Sequence, residues 1–149
     1  MVRVRPAAEA DLPRLVEIAS HSATAAHWSP GEYHKLFAPE TLQNRLALVA
    51  EEDTHLVGFI VASQIGPEWE IENIAVMGAA RRRGLGTRLL GEFIRLVQDG
   101  GGREIFLEVR ESNLAARAVY EKWAFVEAGR RKQYYDDPPE DALIFKFSF

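Results

Sequence analysis

The 149-residue sequence contains no cysteine, which excludes disulfides, thiolate nucleophiles and cysteine zinc sites and makes the cytoplasm the simplest expected location. It has no long uncharged apolar run either. Arg3, Arg5, Glu9 and Asp11 break up the N-terminus, so neither a signal peptide nor a membrane span is expected. Positive charge is not in excess: 18 Lys and Arg against 22 Asp and Glu give a formal net charge of -4. That balance argues against direct nucleic-acid binding and suits a cationic substrate. His21, His27, His34 and His55 show no metal-ligand spacing, so no metal is expected. Repeats, low-complexity tracts and linkers are absent, and 47% hydrophobic content predicts one domain, residues 1–149, with a full core.

What is present alternates between period two and period 3.6. VRVRP from Val2 reads as an edge strand, and Asp11 as the cap of a helix carrying Leu12, Leu15, Val16 and Ala19 on one face. Ser29-Pro30-Gly31-Glu32 is a capping box, which puts Tyr33, Leu36 and Phe37 on a second short helix. Three strands follow, Leu46–Glu51, His55–Ile65 and Trp69–Met77, and their short turns imply antiparallel neighbours. A helical stripe runs through Leu85, Leu89, Phe93, Ile94 and Val97, and Gly100-Gly101-Gly102 ends it. Next come a strand Ile105–Arg110, a helix from about Asn113 to Lys122, and strands near Phe125–Arg130 and Leu143–Phe147 joined by a polar loop, Asp136–Asp141. The expected class is α/β (α+β): a central mixed, mostly antiparallel sheet with helices on both faces.

RRRGLGTRLL, residues 81–90, poses a charge problem. A helix start carries unpaired N–H groups and the positive end of the dipole, so three arginines are locally the wrong charge unless a polyanion sits there. Gly84 and Gly86 lie where the chain turns and where bare backbone would meet a phosphate. Neither a Walker loop nor a three-glycine dinucleotide fingerprint is formed. The other reading is a solvated arginine cluster whose glycines serve only the turn.

In IFLEVR, Ile105, Leu107 and Val109 share one face, and Phe106, Glu108 and Arg110 the other. A partly buried carboxylate at Glu108 can take a proton from an ammonium substrate, or can simply pair with an arginine on a solvated sheet face. Tyr120 lies about two helical turns after Asn113, so both can face one ligand. Asn113 also reads as an N-cap, and Tyr120 as a core ring.

Arg81-Arg82-Arg83-Gly84-Leu85-Gly86 resembles the R/Q-x-x-G-x-G/A signature of the GCN5-related N-acetyltransferases (GNAT). The run LEVRESNLAARAVYEKWAFVEAGRRKQYY, Leu107 to Tyr135, resembles the bacterial ribosomal-protein-alanine N-acetyltransferase (RimI) branch, with a fainter echo in HWSP at His27 to Pro30. The resemblance implies the GNAT fold and acetyl-coenzyme A as cosubstrate. Its pantetheine arm would pair along Ile74, Ala75 and Val76, and its pyrophosphate would sit on Arg81, Arg82, Arg83, Gly84, Leu85, Gly86 and Thr87, with Asn113 as a further contact. It implies Glu108 as general base and Tyr120 as general acid. Glu72 would be a rival base or a ligand of the substrate amine, and Trp28, Tyr134 and Tyr135 would line a peptide groove.

By the same resemblance the acceptor is the N-terminal alanine of a protein, a ribosomal protein of the S18 kind. Lysine side chains or small amines are the alternative acceptors, and a non-catalytic acyl-coenzyme A binding module is the alternative of another class. Where the branch commonly has Leu-Gly-Phe, this chain has Trp123-Ala124-Phe125, and alanine predicts a less unusual backbone there.

Overall fold

The computed structural model describes residues 2–22, 28–39, 44–78, 84–136 and 138–149. Within them β1 (Val2–Pro6) leads through a 3-10 turn, Glu9–Asp11, into α1 (Leu12–Ser20), and α2 (Pro30–His34) continues as a second 3-10 turn, Lys35–Phe37. β2 (Arg45–Glu52), β3 (His55–Ile65) and β4 (Glu68–Val76) precede α3 (Leu85–Asp99). β5 (Glu104–Arg110), α4 (Leu114–Lys122), β6 (Val126–Asp136) and β7 (Pro139–Ser148) complete the order.

The seven strands form one sheet, β1-β2-β3-β4-β5-β7-β6. Only β4 and β5 run parallel, because α3 lies between them in sequence and carries the chain back across the sheet. The sheet is therefore mixed and mostly antiparallel, as the short turns implied.

The period-3.6 stripe of α3 decides what covers the first face. Leu89, Leu90, Phe93, Ile94 and Val97 pack with Tyr120 of α4 on Ile105, Leu107, Val109, Leu143 and Phe145. On the opposite face Leu12, Leu15 and Ile18 of α1 pack with Tyr33 and Leu36 on Val49, Phe59, Val61 and Ala75. Each such side chain contributes about 1.5–3 kcal/mol on burial. The second cluster draws no residue from β5, β6 or β7, so that half of the second face carries no helix among the described residues.

Three expectations need correction. Asp11 does not cap α1; its carboxylate accepts from Ala8 N at 2.7 Å, closing the 3-10 turn, and pairs with Arg5 at 2.9 Å. Asp136–Asp141 is not a loop: β6 and β7 run on until Asp136 pairs with Pro139. Alanine at 124 does not relax the turn, since its φ is 68°.

The hydrogen bonds explain that left-handed alanine. Phe125 N donates to Tyr120 O and Ala124 N to Glu121 O, both at 3.0 Å, which is the Schellman closure of a helix, and the Phe125 ring rests 5.7 Å from that of Tyr120. This closure outweighs a strain of about 1 kcal/mol at the alanine. Ala124→Gly is expected to raise stability by about 1 kcal/mol, less whatever entropy glycine adds to the unfolded chain. Thermal unfolding should then shift upward by about 2–4 °C, and a lower midpoint would contradict the strain.

Candidate active site

β4 and β5 pair only from Glu68↔Glu104 to Ile71↔Leu107. Beyond that register both strands run on, to Val76 and Arg110, without pairing to each other. A bulge lies where they part: Ile71 faces Ala62 and Asn73 faces Val61 across β3, so Glu72 is the extra residue. The bulge turns β4 over, putting Ile71 in one core cluster and Ala75 in the other. The gap between two parted strands is a place where an extended ligand can add itself.

At this parting lies a cleft of about 400 Å³, within the range of small-molecule sites. Glu108, Tyr120, Ile74 and Asn113 line it. So do Trp28, Glu72, Tyr134 and Tyr135. Residues separated by more than a hundred positions are thereby brought to one wall.

β5 alternates as expected, with Ile105, Leu107 and Val109 buried and Glu108 turned to the cleft. The Glu108 carboxylate, 18% exposed, takes Arg131 Nε at 2.8 Å. The Arg131 guanidinium also stands 5.5 Å from the Tyr134 ring centroid. The charge of Glu108 and a hydrogen bond to it raise the Tyr134 hydroxyl above its ordinary range. Tyr135, under Arg110 at 4.2 Å, is pushed up to about 12, by burial first and then by Glu108.

Consecutive strand residues normally point to opposite faces, yet Tyr134 and Tyr135 both line the cleft. A second bulge is the reason. The β6 register jumps between Arg131↔Ala142 and Tyr135↔Glu140. Inside the jump Gln133 takes φ 50°, with its N–H on Asp141 Oδ1 at 2.9 Å.

Glu72 is engaged by Arg45 in a fork, Nε to Oε1 at 2.9 Å and Nη2 to Oε2 at 2.8 Å. Arg45 lies over Trp28 at 5.6 Å, Trp28 stacks on Tyr33 at 5.2 Å, and Asn73 donates to the Tyr33 hydroxyl at 3.2 Å. This chain of contacts ties the segment before α2 to the bulge of β4. It gives Glu72 a bidentate partner and Trp28 its position over the cleft.

Tyr120 is 5% exposed, packed between Phe125 and Phe145. Burial raises its pKa, so the hydroxyl keeps its proton well into the alkaline range. Asn113 Oδ1 accepts from Ala116 N at 3.1 Å, a helix cap that still leaves the residue in the cleft wall.

At the far end of the gap, Gly84 takes φ 74° before the first turn of α3, and Leu85 anchors the helix in the core. A Cβ on Gly86 would meet Val76 Cγ2 only at 3.7 Å, ordinary contact, so packing within the chain does not demand glycine there. Arg81, Arg82, Arg83 and His27 lie outside the described residues.

One cleft residue, Glu70, and the two arginines that pair with cleft carboxylates, Arg131 and Arg45, were not legible beforehand. Glu70 has its carboxyl held above the usual range, by lost water on its cleft side and then by the charges of Glu108 and Glu72, which Arg131 partly offsets. Period two would have grouped Glu70 with Glu72, but the bulge separates their surroundings. Arg131 lay just past the expected end of β6. Arg45 stood outside the expected strand, and nothing local marks it.

The model of the acetyltransferase (GNAT) family matches residues 12–125. The chain is 35% identical over 136 residues to the [ribosomal protein bS18]-alanine N-acetyltransferase of Escherichia coli K12, covering 90% of this chain and 88% of that one. It is 35% identical over 142 residues to the enzyme of the same name from Haemophilus influenzae, covering 90% of each. The crystal structure of the ribosomal-protein-S18-alanine N-acetyltransferase from E. coli superposes with a TM-score of 0.88 at 30% identity, over 99% of this chain and 94% of that one. By its family model and by these relatives, the chain belongs to the GNAT acetyltransferase family, which uses acyl-coenzyme A as cosubstrate.

Proposed function

We propose that this protein transfers an acetyl group from acetyl-coenzyme A to the N-terminal α-amine of a protein beginning with alanine. The relatives named for that reaction on ribosomal protein bS18 suggest a ribosomal protein as the acceptor, met in the cytoplasm. The observation that carries the reading is one cleft holding a carboxylate, Glu108, and a buried tyrosine, Tyr120, at the parting of β4 and β5.

In this reading the thioester lies in the gap, its arm along Ile74, Ala75 and Val76 and its pyrophosphate at the start of α3, on Gly84, Leu85, Gly86 and Thr87 with Arg81, Arg82 and Arg83 before them. The first-turn N–H groups and arginine charge suit a diphosphate. Asn113 and Tyr120 face the cofactor from α4. Glu108 takes a proton from the acceptor ammonium; the amine attacks the acetyl carbonyl; backbone N–H groups of β4 steady the oxyanion; and as the C–S bond breaks Tyr120 gives its proton to the leaving thiolate and regains one from the second proton shed by the nitrogen. Transfer is direct. Trp28, Tyr134 and Tyr135 flank the acceptor's first residue, and Glu72 holds that wall through Arg45.

An α-amine titrates near pH 8 and a lysine amine above 10, so at neutral pH the former offers far more of the reactive form. A peptide with free N-terminal alanine should therefore be acetylated at that amine. The same peptide with a blocked terminus and an internal lysine should react at least about a hundredfold more slowly. Mass spectrometry locates the acetyl group. Equal rates would assign the protein to the lysine or small-amine class, and coenzyme A binding without any release of free thiol would assign it to a binding module.

A further inference from the structure

The Glu108–Arg131 contact raises a question that the transfer mechanism does not answer. A carboxylate that must accept a proton from an ammonium group is already occupied by another cation, Arg131 Nε at 2.8 Å. We propose that Arg131 holds the place of the acceptor's ammonium at Glu108 while the cleft is empty, and yields it when the acceptor enters. The inference rests on the reading that Glu108 takes the acceptor's proton.

The charges around the cleft make such a place-holder necessary. Glu108 of β5 and Glu72 of β4 both stand close enough to Glu70 for their charges to act on its carboxyl. Glu72 has its own fork to Arg45, and Arg110, on the same strand as Glu108, reaches Glu140 and the Pro138 carbonyl and lies over the Tyr135 ring. From β6, Tyr134 and Tyr135 face Glu108 with neutral hydroxyls. Among the described residues, Arg131 is the cation seen to offset both Glu108 and Glu70. Without it two carboxylates would share one side of the cleft, which favours protonating one of them and spoils the base.

The contact is also built to break. The Arg131 side chain is 57% exposed and sits on the bulged stretch of β6. Arg131 also borders a second hollow of about 350 Å³ that shares Glu70 and Glu108 with the cleft and adds Glu68. A guanidinium displaced from Glu108 can thus stay near Glu70 and Glu68, over Phe106 and Ile144. An arriving ammonium then exchanges one cation for another at Glu108 and does not add a charge. An exposed pair of this kind is weak enough to exchange.

Steady-state kinetics on an alanine-initiated peptide test the exchange, using wild type, Arg131→Gln and Arg131→Lys. Arg131→Gln removes the competitor, so the acceptor KM should fall by about three- to tenfold. The acid limb of kcat/KM should move to higher pH, because carboxylates without their counter-charge hold protons more tightly. Arg131→Lys keeps a cation and should stay near wild type in both. A peptide ending in a hydroxyl in place of the amine should inhibit both proteins equally, since it brings no competing charge.

A raised KM in Arg131→Gln, or an unmoved acid limb, would overturn the place-holder role and make Arg131 a contact to the acceptor or a structural pair. Either of those outcomes leaves the acetyl transfer standing. If wild type acetylates no peptide with a free terminus, the acceptor reading itself fails and takes this inference with it.

Discussion

Glu108→Gln is expected to lower turnover on an alanine-initiated peptide by roughly two to four orders of magnitude while acetyl-coenzyme A affinity stays nearly unchanged. Glutamine keeps the shape and can still meet Arg131, but it cannot accept a proton. Its deficit should narrow as pH rises, because an α-amine with a pKa near 8 then arrives already deprotonated. The comparison that matters is Glu72→Gln. The Glu72 carboxylate is gripped at both oxygens by Arg45, so its loss should loosen Trp28 and act mainly on acceptor KM. Near-normal turnover in Glu108→Gln beside abolished turnover in Glu72→Gln would move the base to β4.

Tyr120→Phe should cost at least about a hundredfold in turnover, with no alkaline relief. The thiolate loses its proton donor in that variant, and deprotonating the amine does nothing for the leaving group. Phenylalanine preserves the ring contacts with Phe125 and Phe145, so the thermal midpoint should move little. The two pH–rate profiles should therefore diverge on the alkaline side, Glu108→Gln rising toward wild type and Tyr120→Phe running parallel below it. Full activity in Tyr120→Phe would reduce this tyrosine to core packing.

Burial is what makes the tyrosine suitable. Its hydroxyl is raised above the ordinary range by loss of water, so it remains protonated at every pH at which the enzyme would be assayed. A surface tyrosine would be half ionised near pH 10 and lose its proton just above the range in which the Glu108 variant recovers, which would blur the alkaline comparison.

Local rules carried much of this protein from residue pattern to structure. The stripe Leu85, Leu89, Phe93, Ile94 and Val97 is entirely buried, because a 3.6-residue period admits one covered face. The alternation of Ile105, Leu107 and Val109 against Glu108 survives for the same reason at period two. The capping box at Ser29 forms with both of its hydrogen bonds, since it involves only four consecutive residues. Candidate residues from Trp28 to Tyr135 were named because the Arg81–Gly86 signature, the run Leu107–Tyr135 and the fainter HWSP echo resemble a family.

What remained hidden depends on residues far apart in sequence meeting in space. Period-two reading assumes an unbroken ladder, and bulges at Glu72 and between Arg131 and Tyr135 break it; the single extra residue at Glu72 reverses which face the following side chains take, and the irregular stretch of β6 lets Tyr134 and Tyr135 reach the same cleft. The left-handed alanine at 124 follows from a helix closure whose value lies in the Phe125–Tyr120 contact, which outweighs alanine's own preference. Arg45 finds Glu72 across 27 residues and Arg131 finds Glu108 from the strand beyond β7, pairings that no local window contains. Elements, apolar faces and the chemistry on offer could be read from residue order alone. Which carboxylate is gripped by Arg45 and which meets Arg131 was set by the fold, because Coulomb interactions depend on distances that the strand order creates.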